Sequence, residues 1–110
     1  MRQLFLFSAI TLFAVAPSVF AADAAAGKAK SAVCGACHGA DGNKPIDANT
    51  PKLAGQHEDY LVKVLKDYRS GARANAIMGA QAAGLKDQDI DDLAAYFASQ
   101  TGDIQEIPHH

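Results

Sequence analysis

The chain has 110 residues, of which 49% are hydrophobic and 20% charged, and its formal net charge is −2 at pH 7. That length accommodates one small domain rather than several. The near-neutral balance, with no basic run, argues against a nucleic-acid-binding face.

Residues 1–21 have the pattern of an export leader. Arg2 precedes an apolar run over 4–16, Pro17 ends it, the short residues Val19 and Ala21 suit a leader-peptidase site, and the first acid is Asp23. Cleavage after Ala21 is expected, leaving residues 22–110 as one mature domain in the periplasm. The apolar run is shorter than the roughly 20 residues a membrane span requires. So small a mature domain lies near the limit at which a hydrophobic core suffices alone. The two cysteines, Cys34 and Cys37, are only three positions apart. A disulfide between them would close a tiny loop and constrain the unfolded chain little, so they are expected to serve another purpose.

Residues 22–31, rich in Ala and Lys, predict a helix running up to Cys34. Over 39–55, Gly39, Gly42, Asn43, Pro45, Asp47, Asn49, Pro51 and Gly55 predict a long loop. In so small a domain such a loop is expected to wrap something. Tyr60, Leu61, Val64, Leu65 and Tyr68 recur at helical spacing up to a stop at Gly71. Residues 72–84 are small and weakly periodic and read as a flexible segment, with Met78 near its middle. Ile90, Leu93, Ala94 and Phe97 mark one face of a last helix with Asp87 and Asp89 in its first turn, and Gly102 follows its end. No strand-like alternation occurs, so the expected class is all-α.

Cys34-Gly35-Ala36-Cys37-His38 is the attachment pattern for c-type haem. Two thiols separated by two small residues can form thioethers with the two vinyl groups on one porphyrin edge, and the histidine that follows can bring an imidazole nitrogen to the iron. A zinc site would need about four ligands, and with two cysteines and an isolated His57 the chain supplies no second pair. A thioredoxin-like redox pair expects a βαβ context that the pattern lacks. Met78 is the one methionine of the mature chain and is expected as the sixth iron ligand, a soft thioether that favours ferrous iron. The alternatives are a core-filling role for Met78 and ligation by His57 instead. His109 and His110 fall in a terminal tail. The acids Asp87, Asp89, Asp91 and Asp92 lack the spacing and glycine of a calcium loop and read as a solvated helix face.

Gly27, the Cys34–His38 motif, Thr50-Pro51-Lys52-Leu53-Ala54-Gly55-Gln56, Tyr68-Arg69-Ser70-Gly71, Met78 and Leu93-Ala94-Ala95-Tyr96-Phe97 together resemble the small class I bacterial cytochromes c, over essentially all of the mature chain. The resemblance implies helices wrapped around one covalent haem c, with His38 and Met78 as axial ligands. It implies that the first and last helices cross where Gly27 approaches Tyr96 and Phe97, and that the Pro51 carbonyl accepts a hydrogen bond from His38. Arg69, Arg73 or Gln56 would meet a haem propionate. Lys86 departs from the family's usual Ser or Thr helix cap, a role Asp87 could take. The implied function is single-electron shuttling between redox proteins, a quinol-oxidising complex and a terminal oxidase or reductase, by a monomer that is not an enzyme. A small haem enzyme or gas sensor with a displaceable sixth ligand is the alternative.

Overall fold

The computed structural model describes residues 3–15 and 21–104. Pro17 and Val19 of the expected leader, and His109 and His110 of the expected tail, lie outside them. Residues 3–15 form neither helix nor strand, and Leu4, Phe5, Leu6 and Phe7 stand 81–95% exposed. Among the described residues no helix is long and apolar enough to cross a membrane.

The described part of the chain is all-helical: α1 (Ala24–Lys30), α2 (Ala32–His38), α3 (Glu58–Ser70), α4 (Ala76–Ala82) and α5 (Asp87–Ser99). Asp23 caps α1, its carboxylate accepting from the Ala25 and Ala26 amides at 2.9 and 3.2 Å. The helix is interrupted for a single residue at Ser31, whose hydroxyl donates to the Lys28 carbonyl at 2.8 Å. It then resumes as α2. The cysteine motif was expected just beyond a helix and instead forms its last turns. Gly39 ends α2 at φ 91°, in a position where a Cβ would stand 2.7 Å from the Lys44 amide nitrogen.

Helices α1 and α5 pack most extensively, as the resemblance implied, and α3 packs on α5. Leu61, Leu93, Ala94, Tyr96 and Phe97 form the buried cluster. Ile90 and Leu93 are the largest side chains fully buried among the described residues. Gly27 meets Asp92 and Tyr96 at the crossing, whereas Phe97 is met by Gly42 of the loop.

Three expectations need correcting. Residues 72–84 are not irregular throughout: α4 forms over Ala76–Ala82 because the Asn75 side chain accepts the Met78 amide at 2.9 Å, a cap that offsets the weak periodicity. Asp87 does not cap α5. Asp89 does, accepting the Lys86 amide at 2.9 Å, while Asp87 accepts from Arg69 at 2.7 Å. Nor is the whole acid run a solvated face: Asp87 is exposed, but the Asp92 side chain is only 4% exposed and pairs with Lys30 at 2.8 Å.

Candidate haem-attachment site

Helix α2 presents Cys34, Cys37 and His38 within one turn and a half. Both cysteines are free and half-buried, and Cys34 packs against the core cluster. Burial pushes the Cys34 thiol up. That is opposite to the depressed value of a redox-active thiolate, and among the described residues no strand supplies a thioredoxin-like context.

His38 is 5% exposed, and its Nδ1 lies 2.7 Å from the Pro51 carbonyl oxygen. A carbonyl can only accept, so Nδ1 carries the proton and donates. This fixes the tautomer and leaves Nε2 with a lone pair for a metal.

The loop that brings Pro51 to His38 runs from α2 to α3 and is hydrogen-bonded back onto the end of α2. The Lys44 amide donates to the His38 carbonyl at 3.2 Å and the Ile46 amide to the Cys37 carbonyl at 2.9 Å. Asp47 then turns the chain, its Oδ1 accepting at 2.9 Å from the Asn49 amide, the Thr50 amide and the Thr50 hydroxyl. The Thr50 hydroxyl and Asn49 amide hold the Asp47 carboxyl below the usual carboxylate range. Further along, the Gly42 carbonyl accepts from the Leu53 and Ala54 amides at 2.7 and 3.2 Å, and the Tyr96 hydroxyl donates to the Ala40 carbonyl at 2.8 Å. Sequence reasoning missed the Tyr96 and Asp47 contacts. An Asp three residues before Thr in a Pro-containing loop was the available signal for the latter.

Met78 is half-buried in α4, which packs on α3. Among the described residues α4 makes no contact with α2, so the thioether and the imidazole are carried by separate elements. Leu53, Val62, Leu65 and Leu85 are only partly buried where they pack against the core. Two thiols, an imidazole with a free Nε2, a thioether on a second element and half-buried aliphatic side chains packed, like Cys34, against the core fit a flat, apolar, iron-bearing group attached through sulfur.

His57 lies exposed at the start of α3. Of the residues considered for a propionate, Arg69 is already engaged with Asp87 at 2.7 Å and the Leu85 carbonyl at 3.0 Å. Arg73 sits over the Tyr68 ring at 5.2 Å and donates to the Tyr60 hydroxyl at 3.3 Å.

A fold of this kind around a Cys-x-x-Cys-His helix defines the class of covalent haem proteins. The sequence model of the family described as cytochrome c matches residues 24–101, and the chain belongs to that family as a small class I c-type cytochrome. It is 60% identical over 80 residues to cytochrome c4 of Pseudomonas aeruginosa, covering 73% of this chain and 39% of that one. To cytochrome c-554(548) of Halomonas halodenitrificans it is 48% identical over 85 residues, covering 73% of this chain and 99% of that one. A crystal structure of reduced recombinant cytochrome c4 from Pseudomonas stutzeri superposes with a TM-score of 0.70 at 48% identity, covering 76% of this chain and 48% of that one. The chain thus spans about two fifths of the Pseudomonas aeruginosa relative and nearly all of the Halomonas one.

Proposed function

We propose that this chain is exported, cut after Ala21, and holds one haem c through Cys34 and Cys37 with His38 and Met78 as axial ligands, moving single electrons between periplasmic redox proteins. The observation that carries the reading is the 2.7 Å bond from His38 Nδ1 to the Pro51 carbonyl, which leaves Nε2 as the only ring nitrogen able to ligate. The bound haem would supply a one-electron Fe(III)/Fe(II) couple. The chain's own part is to hold it. Cys34 and Cys37 tether it, the Pro51 carbonyl orients and enriches the imidazole, and the partly buried Leu53, Val62, Leu65 and Leu85 exclude water.

One haem per chain rests on the one Cys-x-x-Cys-His motif in the sequence. A carrier retains both axial ligands in both oxidation states, whereas an enzyme or gas sensor opens one. An absorption spectrum of the purified oxidised protein tests this: a weak sulfur-to-iron band at the red edge is expected. A high-spin spectrum would instead establish the open site of an enzyme or sensor.

A further inference from the structure

The hydrogen bonds around the haem-attachment motif form a closed circuit. It leaves α2 at the Cys37 and His38 carbonyls, which accept the Ile46 and Lys44 amides at 2.9 and 3.2 Å. It returns to α2 where the Pro51 carbonyl accepts His38 Nδ1 at 2.7 Å. Between Ile46 and Pro51 the chain is anchored by the Asp47 side chain, which grips the Asn49 amide, the Thr50 amide and the Thr50 hydroxyl, each at 2.9 Å. The backbone bond across the same turn, from the Thr50 amide to the Asp47 carbonyl, is long at 3.4 Å.

We infer that Asp47 is a positioning residue for the iron ligand: by fixing Thr50 it sets the Pro51 carbonyl against His38 and thereby sets the basicity of the imidazole. This rests on the reading of His38 as an axial ligand. Asp47 touches neither His38 nor the haem site and acts through two residues of backbone. Pro51 makes the route effective. Its ring fixes φ and it has no amide hydrogen to anchor it by another bond, so the placement of its Cα–C bond follows Thr50 and only ψ is left to turn the carbonyl. A carbonyl that accepts from Nδ1 gives the imidazole more imidazolate character and favours ferric over ferrous iron. Slackening the Asp47 grip therefore raises the reduction potential.

The test compares Asp47→Ala, Asp47→Asn and Lys52→Ala in the full haem-loaded protein. Lys52 is the neighbour of Pro51 and donates to the Asp103 carboxylate at 3.0 and 3.1 Å, so its variant loosens the loop without touching the Asp47 turn. Three readouts are needed: haem retention in acid-acetone, reduction potential, and hydrogen exchange of the His38 Nδ1 proton by NMR. Asp47→Ala is expected to raise the potential and speed exchange of that proton at least tenfold. Asp47→Asn keeps an acceptor oxygen and is expected to restore both, and Lys52→Ala to change neither. If Asp47→Ala leaves potential and exchange at the wild-type values, or if Lys52→Ala moves them as far, the positioning role is refuted. If the wild-type protein releases its haem into acid-acetone, the attachment reading fails first and this inference falls with it.

Discussion

Gly27 of α1 lies directly against Asp92 of α5: a Cβ built on Gly27 would stand 1.9 Å from the Asp92 carbonyl oxygen and 2.8 Å from Tyr96 Cβ. The obstacle is backbone, which cannot rotate away as a side-chain tip can. Gly27→Ala must therefore push the two helices apart, and it is expected to destabilise the fold by about 3 kcal/mol, the upper part of the overpacking range, despite alanine's better helix propensity. Urea unfolding of the haem-loaded protein measures this, and a variant as stable as wild type would show that the helices do not meet there.

The same junction is tied by charge. The Asp92 carboxyl accepts from Lys30 Nζ, the Asp23 amide and Gln88 Nε2, and is held down to about 2 from an ordinary 3.8, chiefly by Lys30. Because the folded value is the lower one, the contribution is fully present above about pH 3.8 and is lost as pH falls through about 2. Asp92→Asn is expected to be less stable than wild type at pH 6, with the gap narrowing between pH 4 and pH 2. A gap that stays constant across that window would assign the loss to packing rather than charge.

How far the sequence could be read depended on whether the signal was local. The attachment motif, the helix ending at Gly71 and the last helix were legible because spacing and stop residues lie within one element. The role of Asp92 was not, since its burial depends on Lys30, 62 positions away. Helix α4 was missed for a different reason: its apolar residues make no stripe and Gly79 interrupts it, so the stabilising feature is the single Asn75 cap. Pro51 beside His38 was available only through the family resemblance, because the bonds that fold the loop back onto α2, from the Lys44 and Ile46 amides, are backbone bonds that leave no composition signature.

Covalent attachment is tested by replacing both thiols. Cys34→Ala with Cys37→Ala is expected to yield a chain that loses its haem to acid-acetone, while wild type keeps it. Release from wild type as well would overturn the covalent reading.

Ligation by Met78 is tested by Met78→Ala. The Asn75 cap on the residue-78 amide is a backbone contact and survives the substitution, so α4 is expected to persist. The variant should bind carbon monoxide readily and show a lower reduction potential, since the thioether that favours ferrous iron is gone. An unchanged spectrum would transfer the sixth position to His57.

The meeting with redox partners follows from where charge and apolar surface lie. Residues 22–75 carry eight Lys and Arg against six acids, and residues 76–110 carry one Lys against six acids, so the chain's dipole rather than its small net charge orients an encounter. Near the attachment motif and on α4, Val33, Ile46 and Ile77 are 59%, 65% and 69% exposed, and Ala36 and Ala80 are also exposed. A carrier that must release its partner quickly is served by a small apolar contact with charges confined to the rim. Rim charges act through solvent and are screened over about 8 Å at physiological ionic strength. Electron-transfer rates are therefore expected to vary only modestly with salt. Ala80→Glu places a charge inside the apolar contact, where it must be desolvated without a partner, and is expected to slow transfer at least tenfold while leaving the haem spectrum unchanged. Stopped-flow reduction by a redox partner across a salt series gives both quantities. A steep salt dependence together with an indifferent Ala80→Glu would place the docking surface elsewhere, on the charged faces of α3 and α5.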